Sequence, residues 1–144
     1  MNCRRLTTGG AVTGRLLAAT VAVALMVCGS VRAAPPSDPE IAKGQAAFAA
    51  KCAECHTIGG GDKVGPDLFG VSAHHNDAWL TRWLKAPEAM VASDPMAKKM
   101  AGRYKVTMPN LNLSDAEIAL YIKYLRWADK NIKPGPDAKP MKHH

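Results

Sequence analysis

"KCAECH", residues 51–56, sets two thiols three positions apart with an imidazole directly behind the second. Three chemistries use such a cluster. A disulfide loop, redox-active in the manner of a thioredoxin-type C-x-x-C, belongs after a strand, at the head of a helix in a βαβ unit. The stretch leading in, "EIAKGQAAFAAKCAEC" (40–55), is alanine-rich and reads as helix. A zinc site takes four ligands, usually as two separated pairs. No second cysteine pair follows, and His74-His75 lack the ligand spacing. Covalent haem is the third use. Each thiol adds across one vinyl group of the porphyrin, the short spacing lets both reach the ring from one side, and the adjacent histidine lies under the iron. C-x-x-C-H is the sequence signature of that attachment. The motif predicts one covalent haem c held by Cys52 and Cys55, its iron ligated by His56.

The N-terminus accounts for the other two cysteines, Cys3 and Cys28. Arg4, Arg5 and Arg15 precede a 13-residue apolar run, "LLAATVAVALMVC" (16–28), and "VRA" (31–33) offers small residues for a cut before Ala34. That order of charge, apolar run and small-residue site reads as a secretory signal peptide over residues 1–33. A retained anchor is the rival, against which the run is short for a bilayer. Val27 before Cys28 is a poor lipidation site, and the residues around Arg4-Arg5 do not complete a twin-arginine pattern. The signal implies export to the periplasm, with no membrane span in the mature chain.

What remains, 34–144, suits one small domain. Four of the 19 basic residues and none of the 12 acidic ones precede residue 34, so the net charge falls from +7 to +3. No stripe of Lys and Arg interleaved with aromatics appears downstream, so nucleic acid is not an expected partner. In an oxidising compartment two lone thiols normally pair; haem attachment gives them another fate. A large flat apolar cofactor also supplies the centre of a core that so short a chain otherwise lacks.

Along the chain, 34–38 is an extended lead-in. A helix is expected from Pro39 to Cys55, begun by a Ser37/Glu40 capping box or by Asp38-Pro39, with Ile41, Gly44, Phe48 and Cys52 on one face. Gly59-Gly60-Gly61 reads as a flexible loop and "GPDLFG" (65–70) as a turn-rich connection. Asn76 or Asp77 caps a short helix through Lys85, with Trp79, Leu80, Trp83 and Leu84 on one face, stopping before Pro87. Asp94-Pro95 opens another that Gly102 ends. "TMPNLNL" (107–113) is extended because residues before proline avoid the helical region. Ser114 and Glu117 form a capping box for a helix over Asp115 to Lys130, lined by Ile118, Tyr121, Ile122 and Leu125. The tail, 131–144, is polar, Pro-rich and expected to be disordered. No strand pattern occurs, so the fold class is all-α with one domain over 39–130.

Iron bound by His56 has one axial position left. A thioether there raises the potential and favours electron transfer, whereas an open position permits ligand binding. Met90, Met96 and Met100 sit at spacings typical of packing, and Met141 lies in the tail. Met108 alone occupies an extended stretch, pinned by Pro109 just before the capped helix, and is the expected sixth ligand. His74 and His75 are the alternatives, placed by their context on an exposed loop.

"GQAAFAAKCAECH" (44–56), "VGPDLFGV" (64–71), "TMPNLNLSDAEI" (107–118) and "LYIKYL" (120–125) together resemble a class I cytochrome c over about Pro39 to Lys130. The resemblance implies the cytochrome c fold, helices packed around one haem, with the first and last helices crossing near a right angle. Gly44 is then the small residue at the crossing, Phe48 its aromatic partner, and Tyr121 and Tyr124 the facing positions. Pro66 matches the proline whose carbonyl accepts a hydrogen bond from the haem-ligand histidine, fixing the ring. The implied function is a periplasmic, monomeric one-electron carrier, not an enzyme; no nucleophile–base pair or carboxylate pair stands out. Its partners are redox proteins, steered to it by lysines near the haem edge.

The segment 77–106 departs from the smallest such proteins in being longer. It is similar to haem domains of periplasmic denitrification or copper-centre assembly systems. A haem subunit of a larger periplasmic oxidoreductase, with Trp79, Trp83 and this long segment as a docking face, is one alternative. A ligand-binding haem sensor or peroxidase is the other, should Met108 not ligate iron.

Overall fold

Asp38 opens the first helix, α1 (Pro39–Lys51), of a computed structural model that describes residues 35–138. The expected signal peptide and the last six residues lie outside the described residues. The Asp38 carboxylate accepts from the N–H of Glu40 at 2.8 Å and of Ile41 at 3.4 Å. Pro39 at the first helical position gives up no needed donor. The Asp38-Pro39 start is therefore the one adopted.

α1 stops four residues earlier than expected. Cys52 is its C-cap, and the Cys52 carbonyl collects the N–H of both Cys55 at 3.1 Å and His56 at 2.9 Å. Tightening of this kind satisfies the end carbonyls of a helix. It turns the motif residues out of the helix into a compact turn.

α6 (Asp115–Asn131) begins with the expected capping box. Ser114 Oγ accepts from the Glu117 N–H at 3.3 Å, and Glu117 Oε2 accepts from the Ser114 N–H at 2.9 Å. Its buried face carries Ile118, Tyr121, Ile122, Tyr124, Leu125 and Ala128. The contact of α1 with α6 is the most extensive between helices. Gly44 sits at the closest approach: a Cβ there would lie 2.5 Å from the Leu120 carbonyl oxygen and 2.8 Å from Tyr124 Cβ. Phe48 packs on Tyr124 with ring centroids 5.6 Å apart, and the Tyr121 hydroxyl donates to the Ala47 carbonyl at 3.3 Å. All four residues expected at the crossing are there.

Exposed ion pairs tie the same two helices. Lys51 Nζ meets Glu117 at 2.9 Å, and Lys123 Nζ meets Asp38 at 3.1 Å. Lys51, then the Ser114 N–H and hydroxyl, hold the Glu117 carboxyl down to about 2 from an ordinary 4.5. A carboxyl depressed in the folded state stabilises fully above its unfolded value and loses that contribution as pH falls through its folded one. Glu117→Gln is expected to flatten the acid-unfolding curve between about pH 4.5 and about pH 2, followed by circular dichroism. The pair is exposed, so the effect is small and shrinks with salt. An unchanged slope at low salt would count against the pairing.

Between these helices lie α2 (Val71–His74), α3 (Asp77–Lys85), α4 (Pro87–Ser93) and α5 (Pro95–Tyr104). Asn76 caps α3 by accepting from the Trp79 N–H at 2.9 Å. Pro87, expected only to end α3, also begins α4, because proline is as much a first-turn residue as a helix breaker. Asp94 caps α5, accepting from the N–H of Met96 and Ala97, each at 3.0 Å. α5 runs through Gly102, whose absent side chain would face open space, and is capped by Lys105 in the left-handed region, φ 54°. α2 is held from afar. Asp129 of α6 accepts from the N–H of Gly70 at 2.7 Å and of Ser72 at 2.9 Å.

Residues 132–138, expected to be disordered, lie along the Gly59–Gly61 loop. The Gly135 N–H donates to the Gly59 carbonyl at 2.8 Å, and the Asp137 carbonyl stands 2.8 Å from where a Gly61 Cβ would be. Proline and glycine here shape a strap. Among the described residues there is no strand, so the fold is all-α.

Candidate haem-binding site

The turn after α1 carries Cys52, Cys55 and His56, and the extended segment before α6 carries Met108. Two adjoining cavities separate these segments, and Cys52, His56, Pro66, Trp83, Met100 and Met108 line both. Cys55 and Tyr104 stand at the outer one; Phe48, Leu68, Val71, Leu80 and Leu125 wall the inner one. The five site residues expected from the sequence thus meet at one apolar slot.

His56 Nδ1 lies 2.8 Å from the Pro66 carbonyl oxygen. A carbonyl only accepts, so Nδ1 bears the proton and Nε2 keeps its lone pair. Gly65 makes this approach possible, since a Cβ there would fall 2.5 Å from His56 Cε1. The Gly65 N–H donates to the Cys55 carbonyl at 2.9 Å, and the Leu68 N–H to that of Thr57 at 2.8 Å. The two segments therefore run side by side. Burial lowers the basicity of His56, with the Pro66 bond pulling weakly the other way. The neutral ring is the form that binds a metal. Burial also pushes the Cys52 thiol up to about 11.

A carboxylate that sequence reasoning passed over braces the loop behind His56. Asp67, 2% exposed, accepts from the N–H of Gly59 at 2.7 Å, Gly61 at 2.6 Å and Phe69 at 3.0 Å. Three donors satisfy a buried carboxylate. The glycine loop, expected to be flexible, is pinned by Asp67 on one side and the C-terminal strap on the other. Gly59 and Gly61, at φ 78° and 88°, are needed to bring those N–H groups together.

His75 is also a correction. It is not on an exposed loop but buried, its ring stacked on Trp79 with centroids 3.8 Å apart. Trp79 in turn stacks on Trp83 at 5.6 Å, and its indole N–H donates to Asp94 at 3.1 Å. All three rings line the inner cavity, so the tryptophans wall the slot. The periodicity of α3 contained that information; the burial of His75 depends on α2, which had no local signature. His74 is exposed, Met90 is a buried residue of α4, and Met141 lies outside the described residues.

An apolar slot with two thiols on its lip, a neutral imidazole and a thioether fits a flat metalloporphyrin. The fold and the slot together define a haem-binding helical protein. The cytochrome c family model matches residues 41–129. Over 39 residues the chain is 56% identical to cytochrome c of Ulva intestinalis, covering 26% of this chain and 33% of that one. The chain spans about a third of the length of the curated relatives it matches. The solved cytochrome c domain of a Pseudomonas putida protein is 38% identical, with a TM-score of 0.53 over 60% of this chain and 88% of that one. A cytochrome c from Rhodothermus marinus, 22% identical, superposes with a TM-score of 0.61 over 63% of this chain and 78% of that one, a likeness of fold. The chain belongs to the cytochrome c family. Its cofactor is covalently bound haem c.

Proposed function

We propose that this protein is a periplasmic one-electron carrier whose haem c is joined to Cys52 and Cys55 and ligated by His56 and Met108. The observation that carries this is the meeting of His56, oriented by Pro66, and Met108 at one apolar slot beside both thiols. The iron of the bound haem supplies the one-electron couple. The chain does the rest. Pro66 fixes the ring and its tautomer, Met108 would supply a thioether to the iron, and the apolar walls exclude water; the thioether and the dry walls would raise the potential. Val64 and Val106, both half-exposed at the outer cavity, offer an apolar contact to a redox partner. Lys63 and Lys105 beside them, with Lys51, supply the steering charge. Export rests on the signal-like residues 1–33, and no helix among the described residues is long and apolar enough to cross a membrane.

The ferric absorption spectrum tests the ligand pair. Wild type is expected to show the far-red charge-transfer band of thioether-ligated haem and to resist carbon monoxide when reduced. Met108→Ala is expected to lose the band and bind carbon monoxide rapidly. A wild type that lacks the band and binds the gas at once would support the sensor or peroxidase reading instead. The oxidoreductase-subunit reading would dock through Trp79, Trp83 and the segment 77–106. Both tryptophans also line the cavity, which favours a covering role for them; co-purification with a stable partner would support the subunit reading.

A further inference from the structure

We propose that Tyr104 and Asp62 form a clasp across the mouth of the slot that holds the Met108 segment closed; this rests on Met108 being the sixth ligand. Tyr104 is the last residue of α5 and lines the outer cavity with Val64, Val106 and Met108. Its hydroxyl donates to Asp62 Oδ2 at 3.0 Å. The two residues belong to opposite lips: Asp62 to the loop that follows His56, Tyr104 to the element that leads into Met108.

Both ends are anchored. The other oxygen of Asp62 accepts from the Asp67 N–H at 3.0 Å, and Asp67 is the buried carboxylate that pins the glycine loop. Arg103 reaches the same Asp62 oxygen as the tyrosine at 3.5 Å, and its guanidinium lies 5.3 Å over the Tyr104 ring. Only residues 105–107 separate Tyr104 from Met108, so fixing the tyrosine limits the excursion of the thioether. The Arg103 pair is exposed and contributes little. The hydroxyl–carboxylate bond is charge-assisted, and it is the stronger link.

The apolar lining needs only the ring of Tyr104, so Tyr104→Phe removes the clasp and leaves the wall. Imidazole is the probe, competing for the axial position in the ferric, haem-loaded protein, and loss of the far-red band gives its rate of entry. Tyr104→Phe is expected to speed entry about tenfold, the loss of one hydrogen bond to a charged group moderated by partial exposure. Asp62→Asn should act through the same contact, so the double variant is expected to be little faster than Tyr104→Phe alone. Amide hydrogen exchange at 105–107 of the loaded protein is expected to quicken in Tyr104→Phe, with α1 and α6 unchanged. Unchanged exchange there overturns the clasp, as do fully additive effects in the double variant. Unchanged imidazole entry beside faster exchange overturns its role at Met108. Absence of the band in wild type instead refutes the ligand assignment, and exchange alone then judges whether Tyr104 and Asp62 join the two lips.

Discussion

The double variant Cys52→Ala/Cys55→Ala is expected to carry no haem after denaturation. Thioether bonds survive unfolding, whereas axial bonds from His56 and Met108 do not outlast the fold that brings them together. A haem stain of a denaturing gel reads this directly: wild type stains at the position of the polypeptide, and the double variant does not. Folding should suffer as well. Phe48, Leu68, Val71, Leu80 and Leu125 wall the inner cavity and have only the cofactor to pack against on that side. Side chains that face a gap forgo their dispersion attraction across it. The variant made without haem should keep much of its far-ultraviolet dichroism and lose its near-ultraviolet signal, as compact states without specific packing do. Stain that still migrates with the variant chain would refute attachment through these thiols.

Gly44→Val is expected to be nearly as damaging by another route. The atom that a Gly44 side chain would meet first is a backbone oxygen, Leu120 O at 2.5 Å, and no rotamer change moves it aside. The helices must separate, and the Phe48–Tyr124 packing and the Tyr121–Ala47 hydrogen bond go with them. Overpacking a close approach costs roughly 1–3 kcal/mol and sometimes more, and valine sits at or above the upper end. A small domain has about 5–15 kcal/mol in all. Gly44→Ala is the sharper control, because alanine favours a helix over glycine by about 1 kcal/mol. If urea unfolding of the loaded protein shows Gly44→Ala to be more stable than wild type by the full helix-propensity gain of about 1 kcal/mol, the close approach is not as drawn.

The parts of the fold legible in the sequence are those set by neighbours along the chain. Asp38-Pro39, Asn76, Asp94-Pro95 and the Ser114/Glu117 box each place a donor and an acceptor within three residues. The helix starts therefore fall where those residues put them. Cys52, Cys55 and His56 are legible for the same reason, and Met108 because Pro109 restricts the residue before it. Long-range partners are not legible. α2 is capped by Asp129, 57 residues from Ser72. Asp67 reads as a turn residue until the loop at Gly59 and Gly61 folds over it. His75 is buried only because α2 turns it onto Trp79. Pro87 has two meanings, and composition does not choose between ending one helix and starting the next. The strap at 132–138 is polar in sequence and gains its place from backbone contacts with two glycines.

The seam between α1 and α6 joins the two ends of the domain: Glu40 pairs with Lys123, 83 positions away. Closing so large a loop costs more chain entropy than forming either helix's own turns. During vectorial synthesis the ribosome delivers the CAECH turn long before α6 exists to cover Phe48. Cys52, buried in the folded chain, is therefore open to covalent attachment only before α1 and α6 close over it.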